Sequence, residues 1–551
     1  MKKHLGFTLV ELLAVFVILG IILFIAVPNI QKLINLSRVS AYNSQIELFK
    51  DAARKYVLQY SNEIKNPNNV TVSLYTLMDK KLIDRNIKNP ITNQPFENIR
   101  INIKKVDDQI AYTILEPLIM EPPALVAGLI PVYYDFEEPI LENRWKKADS
   151  ENSGNSWYNY DEWQWANAVT VANNRETYMN ASEETPIPMT DTNTMWVWIP
   201  RYKYRISAGS GPREIEVEFE NRGDKSTGNA VDTFLTHPAF TFGNDELPGI
   251  WVGKFETSGT SDIPIIKPNS RAINNLTVKA AFDSIRNNMQ SNTTTYGFTN
   301  DNNIHMMKNT EWGAVAYLSH SKYGKWGNSA YEGINKEVYV NNSSTRYTGR
   351  SMGAPGGYGK KVPVLAYTGE GYYTIDGYCA HIHNNLPAPC NVASGGEAFV
   401  TELPDKTLAY GASTTGTIYG IYDMVGGQYE YVMGVYKPEP LPNITDKSGF
   451  SSTIINSQFD LLPTDSKYYD QYLGDNIENG HLGDATWETD SWYGDEDFFV
   501  QYTLPWFMRG DSYTSNNETN GIFCIRRQIG DKANTNGISF RVVIAPYSSS
   551  Q

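Results

Sequence analysis

Three cysteines and two neighbouring histidines are the side chains of this sequence best suited to redox or metal chemistry. Cys379 and Cys390 are close enough to form a disulfide across a short loop, if the protein is exported. His381 and His383 alternate, so both could ligate a metal from one face of a strand, but no clear third ligand accompanies them. Cys524 lies in an apolar stretch, which is typical of a small buried side chain. Surface histidines and a buried thiol are therefore the simpler interpretation.

An acidic region near the C-terminus is a second candidate for metal binding. Its carboxylates could hold Ca²⁺, but they lack the spacing of a calcium-binding loop, and the pattern favours a solvated face: Asp484, Glu488, Asp490, Asp495, Glu496 and Asp497. We therefore predict no cofactor and no metal, and keep Ca²⁺ as the open alternative.

One carboxylate stands where an ordinary membrane segment would not carry it. An apolar run from Phe7 to Val27 is just long enough, at ~20 residues, to cross a bilayer as a helix. Lys2 and Lys3 precede it and favour a cytoplasmic N-terminus. Glu11 interrupts the run, and an acid at that depth costs a few kcal/mol to insert, which indicates a functional role. A secretory signal peptide would need a small-residue cleavage site after the run, and none is present.

The residues around this acid carry a specific resemblance. Gly6-Phe7-Thr8-Leu9-Val10-Glu11 resembles the type IV prepilin processing motif, and Pro28 falls where pilin helices kink. The resemblance implies that a prepilin peptidase cuts between Gly6 and Phe7 and methylates Phe7. Glu11 would then pair with the new amine of a neighbouring pilin, since a buried carboxylate needs a compensating cation. The expected partners are the peptidase, other pilin subunits and the assembly machinery.

A pilin-like headpiece is expected to follow the membrane segment. Apolar residues recur at helical spacing as far as Tyr60, which predicts one helix from Phe7 to about that point. A short helix is predicted to open at Thr71. Alternating apolar residues predict strands at Ile99–Ile103 and Ile110–Ile114, which together would form a small antiparallel sheet.

Charge and aromatic content divide the 551 residues into two kinds of module. The net charge is -14, with 15 Lys and Arg against 11 Asp and Glu up to Glu121, and 32 against 50 beyond it. All twelve Trp also lie in the second part. An acidic chain without a basic stripe is not expected to bind nucleic acid. We predict a leader, a membrane helix, a headpiece, a linker and one large domain, with bounds 1–6, 7–28, 29–120, 121–131 and 132–551.

Four landmarks occur in order in the large module. Its strands are predicted at Met195–Pro200 and Gly249–Phe255, and helices at Thr277–Met289 and His305–Leu318. The landmarks are Met306–Tyr317, Gly420–Val432, Met508–Ser512 and Gly537–Val543. Together they resemble the formylglycine-generating enzyme family, which has a C-type-lectin-like fold. The resemblance implies an irregular α+β domain with long loops.

The same resemblance supplies a candidate pocket and argues against catalysis. The family's oxidase activity depends on two closely spaced cysteines that bind copper, whereas the matching stretch here contains only Cys524, and Cu(I) prefers paired soft ligands. The candidate pocket or structural cluster consists of Glu430, Trp506, Arg509, Arg526 and Arg541. Pairing of Arg541 and Arg509 with Glu430 or Asp423 as buried ion pairs is the simpler interpretation.

These observations predict a minor or tip subunit of a type IV pilus with an adhesin-like domain that binds a glycan or a protein. The chain would be a single-pass membrane protein before assembly and would then lie on the extracellular pilus. Two alternatives stay open: an exported enzyme tethered by a pilin helix, and a secretion or competence pseudopilin that binds no ligand.

Overall fold

Two compact units make up the chain in the computed structural model, Met1–Ile119 and Met120–Gln551. The structure describes residues 37–38, 40–59, 69–84, 87–90, 96, 99–106, 109–115, 121–150, 157–268, 272–328, 336–339, 413–425, 428–438, 447–450, 462–463, 465–511, 520–531 and 538–546.

The smaller unit packs a helix against a three-stranded antiparallel sheet. Helix α1 covers residues 40–59. The sheet has the order β1-β2-β3, and helix α2 follows β1 directly: β1 Asn69–Ser73, α2 Leu74–Asp79, β2 Arg100–Val106 and β3 Gln109–Leu115. Phe49 of α1 packs edge-on against Phe96, with ring centroids 4.9 Å apart. A helix and small sheet were expected here; the predicted helix start at Phe7 lies outside the described residues.

The segment predicted to open a helix at Thr71 is a strand instead. Val72 pairs with Ile101 of β2, and the helix begins only at Leu74. The β-branched residues of β1 explain the difference, since they suit a pleated, half-buried surface better than a helix.

Short strands are the main regular elements in the described part of the larger unit. Nineteen are described, in chain order: β4 Ile130–Tyr134, β5 Trp145–Lys147, β6 Asn167–Val171, β7 Thr192–Pro200, β8 Tyr202–Ile206, β9 Ile215–Phe219, β10 Leu235–Thr236, β11 Thr241–Phe242, β12 Asp245–Glu246, β13 Gly249–Gly253, β14 Ser258–Gly259, β15 Pro264–Ile265, β16 Ile304–Met306, β17 Tyr429–Tyr436, β18 Asp470–Tyr472, β19 Trp506–Arg509, β20 Ile525–Gln528, β21 Ile538–Phe540 and β22 Val542–Ile544.

A seven-stranded antiparallel sheet forms the first layer, in the order β16-β22-β13-β7-β6-β4-β5. The strands predicted around Met195 and Gly249 lie next to each other at its centre, where Trp251 pairs with Trp198. Their rings are 5.2 Å apart and buried, so the aromatic run that predicted them fills the core. The sheet reaches back to Ile130, and the Trp251 indole donates to the Ala124 carbonyl at 2.8 Å.

A five-stranded mixed sheet contains parts of the three landmarks that begin at Gly420, Met508 and Gly537. Strand β17 is central: it pairs with β19 antiparallel and with β18 and β21 in parallel, and β20 lies outside β19. The register places Glu430 opposite Arg509 and Met508 opposite Arg526. Three smaller sheets follow the orders β10-β8-β9, β11-β12 and β14-β15.

Helices are few and short in the described part of this unit. They are α3 Arg175–Asn180, α4 Val278–Asp283 with its π-helical continuation Ser284–Met289, and α5 Asn309–Ser319. Eight three-residue 3₁₀ turns join them: Leu141–Asn143, Tyr160–Glu162, Pro238–Phe240, Asn300–Asn302, Ser466–Tyr468, Ile477–Asn479, Trp487–Thr489 and Trp492–Gly494.

The two predicted helices differ in accuracy. The first matches α4 and its continuation closely, whereas the second starts as strand β16 and becomes α5 only at Asn309. Glu311 sets that start, because its carboxylate accepts the backbone N–H of Lys308 at 2.8 Å. Several antiparallel sheets with few helices make the fold α+β, as predicted.

Candidate functional site

Arg541 and Glu430 form a fully buried ion pair. Arg541 Nε donates to Glu430 Oε2 at 3.0 Å and Nη2 to Oε1 at 2.5 Å. The same guanidinium donates to the carbonyls of Gly253, at 2.8 Å, and Tyr422, at 3.0 Å. It therefore joins β13, β17, the chain before β22 and the loop that contains Tyr422. Both side chains are inaccessible to solvent. This geometry is therefore that of a structural ion pair, which holds the four segments together.

Two more buried carboxyls lie beside the pair. Burial and the nearby Glu430 raise the pKa of Glu256, and the backbone N–H of Gln428 donates to Glu256 Oε1 at 2.7 Å. Burial raises the pKa of Asp423 to about 7, against the opposing influence of Arg541. One arginine thus compensates a group of acids, and burial favours their protonated forms.

Arg509 and Trp506 are also fully buried, but neither contacts the pair in the way the sequence suggested. Arg509 lies opposite Glu430 in the strand register, yet its Nη2 donates to the Ala485 carbonyl at 2.9 Å, and its guanidinium lies 5.7 Å from the Trp312 ring. Trp506 stacks on Phe450 with ring centroids 5.6 Å apart. Among the described residues no acid forms an ion pair with Arg509, so its predicted pairing with Glu430 or Asp423 is wrong. The guanidinium instead donates to a carbonyl and packs near an indole ring.

Arg526 is the one residue of the predicted cluster that reaches solvent. It pairs with Glu496, and its guanidinium lies 5.2 Å from the Tyr429 ring and 5.9 Å from the Phe498 ring. Arg527 lies 5.8 Å from Phe498. We call these five residues the arginine–aromatic surface. Phe498 is 47 % exposed and the Arg526 side chain 27 %, so a ligand can reach both.

Phe498 and Arg527 were not among the residues predicted for a site. The sequence shows two arginines in a row, but it does not show that they lie on strand β20 or that the neighbouring loop places Phe498 beside them. Glu496 and Phe498 hold that loop to the strand, since Ile525 N donates to Glu496 O at 2.8 Å and Phe498 N to Ile525 O at 3.0 Å.

Cys524 is buried and unsuited to nucleophilic or redox chemistry. Burial raises the pKa of its thiol, and the nearby Asp495 and Asp511 raise it further, so the reactive thiolate is disfavoured. No disulfide forms at this cysteine. Cys379 and Cys390, with His381 and His383, lie outside the described residues, so their predicted pairing stays a prediction.

The acidic region near the C-terminus is only partly the solvated face that was predicted, since Asp490 is exposed whereas Asp484 and Asp495 are buried. Asp484 is buried and accepts hydrogen bonds from the Tyr472 hydroxyl, at 2.8 Å, and from the backbone and hydroxyl of Thr486. Glu488 accepts from the hydroxyls of Tyr204 and Tyr317 at 3.0 and 2.9 Å, and burial raises its pKa to about 7. These two carboxylates therefore belong to separate internal hydrogen-bond networks.

A buried carboxyl pair that the sequence analysis missed links the same region to a distant segment. Burial raises the pKa of both Glu337 and Asp495, that of Asp495 to about 8. The contact between them raises the pKa of Glu337 further and opposes the rise at Asp495. The Gly521 N–H donates to Asp495 at 3.0 Å. The Glu337 carboxylate lies so close to Gly521 that a side chain there would collide with it. Across the described residues, no group of three or more His, Cys, Asp or Glu has metal-binding geometry.

The residues predicted for processing and assembly, Gly6, Phe7, Glu11 and Pro28, lie outside the described residues. Within the part of the chain that the structure describes, no helix is both long and apolar enough to cross a membrane. The role of the N-terminus is therefore inferred from its sequence.

Comparison with known proteins decides the nature of that N-terminus. A model of the prokaryotic N-terminal methylation motif matches residues 1–27. The chain carries a type IV pilin-type N-terminus. This motif implies processing by prepilin peptidase, membrane anchoring before assembly, and assembly with other pilins. Pilin-like here covers pilus subunits and pseudopilins alike.

The remaining comparisons concern the whole chain. No curated protein matches it. Among solved structures, PvdO from Pseudomonas aeruginosa aligns over 64 % of this chain and 94 % of its own, with 10 % sequence identity and a TM-score of 0.23. A TM-score this low does not establish a shared fold.

Proposed function

We propose that this protein is a minor or tip subunit of a type IV pilus that displays an extracellular ligand-binding domain of C-type-lectin-like fold. The methylation motif at residues 1–27 carries the pilin part of the proposal. Prepilin peptidase would cut after Gly6, and Glu11 would pair with the amine of a neighbouring subunit, because an acid in the filament core needs a cation.

Size supports a low-copy position in the filament. The larger unit, Met120–Gln551, would have to fit beside every neighbouring subunit if the chain formed the shaft. A subunit at the tip has no such neighbours above it. A pseudopilin of a secretion or competence system remains the second candidate, because the same N-terminal motif serves both.

The arginine–aromatic surface supports ligand binding over catalysis. Phe498 and Arg526 combine an exposed ring with a fixed cation, and aromatic and arginine side chains dominate the energetics of recognition surfaces. In contrast, the exported-enzyme alternative relies on Cys524, whose burial disfavours the thiolate. Within this proposal, Glu430 and Arg541 form a structural ion pair and contact no ligand.

Immunogold electron microscopy with an antibody against residues 120–551 tests this proposal. Gold at filament ends, in strains with intact pili, is the expected result. Label spread along the whole shaft would refute the tip position, and label confined to the cell envelope would favour the pseudopilin. A strain that lacks the assembly ATPase is the control, since it should show label only in the envelope.

A further inference from the structure

The exposed ring of Phe498 is flanked by two cations. A single exposed aromatic side chain is normal and needs no explanation. Here, however, the guanidinium groups of Arg526 and Arg527 lie 5.9 and 5.8 Å from the centre of the same ring. In a chain with a net charge of -14, two arginines at one exposed ring form a local cationic position that suits an anion.

The two arginines differ in how their charge is compensated. Arg526 pairs with Glu496. Arg527 donates Nη1 to the Phe499 carbonyl at 2.5 Å, and among the described residues no carboxylate forms an ion pair with it. A partly buried guanidinium keeps its charge, and an external anion would compensate it. The charge of Arg527 is therefore available to an external anion, whereas Glu496 neutralises the charge of Arg526.

The edge of the sheet limits what can dock at this point. Residues Glu496 to Phe498 already occupy the outer hydrogen-bonding groups of Ile525, through the bonds at 2.8 and 3.0 Å. A peptide could not add to β20 as a further strand there, which removes the usual route by which a sheet edge captures an extended chain. A ligand must instead meet the side chains, and the accessible features are an apolar ring face and a planar cation.

We propose that Phe498 and Arg527 form a subsite for a carboxylate-bearing sugar, a uronate residue of an acidic polysaccharide. The apolar C–H face of the sugar ring packs on Phe498, and its carboxylate accepts two parallel hydrogen bonds from the Arg527 guanidinium. Tyr429, Glu496 and Arg526 form the adjoining wall. This inference rests on the proposed ligand-binding function and adds the chemical class of the ligand.

The test uses the full-length chain in detergent micelles and two forms of one probe. A galacturonic acid hexamer carries the carboxylates, and its methyl ester is the same sugar without charge. Calorimetric titration should show binding of the acid and at least roughly tenfold weaker binding of the ester, since a hydrogen bond to a charged group contributes about 1.5–3 kcal/mol. Binding of the acid should also weaken as salt is raised.

Variants then assign the effect to this surface. Arg527→Gln should reduce affinity for the acid at least roughly tenfold and leave affinity for the ester unchanged, whereas Phe498→Ala should weaken both. Arg213→Gln is the matched control: Arg213 also lies over an aromatic ring, that of Trp492 at 5.5 Å, so the same charge is removed elsewhere and binding should not change. Tryptophan fluorescence checks that each variant is folded. If Phe498→Ala does not fold, the result for Arg527→Gln alone tests the proposed subsite.

Each other outcome overturns a defined part. If acid and ester bind equally, and both lose affinity in Phe498→Ala, recognition of the carboxylate is refuted but ligand binding at this surface is supported. A hexaglutamate peptide that binds as tightly as the sugar, with the same loss in Arg527→Gln, refutes the sugar class. No binding of the acid refutes the subsite, while filament-tip label would still support the pilus assignment.

Discussion

Replacing Glu430 by Gln removes the charge partner of Arg541 and should strongly destabilise the larger unit. Arg541 would keep one hydrogen bond to the amide oxygen and its bonds to two carbonyls. Its charge would lose its hydrogen-bonded partner, and only Glu256 and Asp423, whose charged forms burial disfavours, would be left to compensate it. Breaking a buried pair from one side costs about 3–5 kcal/mol. The retained hydrogen bonds suggest the lower end, about 3 kcal/mol of the free energy of unfolding.

Arg541→Met attacks the same pair from the other side and should behave differently with pH. Burial already raises the pKa of Glu430, and without Arg541 the carboxyl should be protonated over a wider range. A neutral carboxyl costs less to bury than a charged one, so this variant should recover part of its stability as the pH falls. The double variant should lose less than the sum of the two single losses, because neither charge is left alone.

Urea unfolding of the full-length chain, followed by tryptophan fluorescence, measures these losses. All twelve Trp lie beyond Glu121, so the signal reports the larger unit alone. Glu216→Gln is the control, since it removes the partner of Arg205 in a pair whose side chains are 33 % and 40 % exposed, where a loss of at most about 1 kcal/mol is expected. If Glu430→Gln lost as little free energy of unfolding as the control, the structural role of the Arg541–Glu430 ion pair would be refuted.

Further predictions concern the N-terminus, the modules and pH. Gly6→Glu should block cleavage, and immunoblots should then show only the precursor; Glu11→Val should leave the protein in membranes but absent from sheared filaments, and normal assembly would contradict the charge-pairing account. A fragment of residues 120–551 should unfold cooperatively by tryptophan fluorescence, and an insoluble fragment would indicate a core shared with the smaller unit. Burial lowers the pKa of His320 to about 3, so stability should fall as the pH drops from about 6.5 towards 3, and His320→Gln should flatten that loss. Burial raises the pKa of Asp495 to about 8, so stability should fall as the pH rises from about 4 through 8, and a stability curve of Asp495→Asn as steep as that of the parent would contradict this.

Local sequence patterns predicted the parts of the molecule that depend on local chemistry. The processing motif is read by a peptidase as a linear sequence, so Gly6 to Glu11 identified the pilin-type N-terminus without any fold. Central strands were equally readable, because Met195–Pro200 is apolar throughout and becomes the buried middle of a sheet. A buried ion pair of Arg541 with Glu430 or Asp423 was expected from the sequence, and the structure shows Glu430 as the partner.

Features that depend on tertiary contacts were predicted poorly. The acidic loop looked solvated because its composition is polar, but Asp484 is buried by donors from Tyr472 and Thr486 that sequence spacing does not reveal. Arg509 seemed to need an acid, yet a carbonyl and the Trp312 ring surround it. Phe498 gave no signal, because its exposure is set by the loop that holds it against Ile525.

Mass spectrometry of sheared surface filaments tests the central claim most directly. Quantified peptides should show this chain at far lower copy number than the main filament subunit, with an N-terminal peptide that begins at N-methylated Phe7. Filaments that lack the chain, while the processed protein accumulates in the membrane, would contradict its role as a pilus subunit.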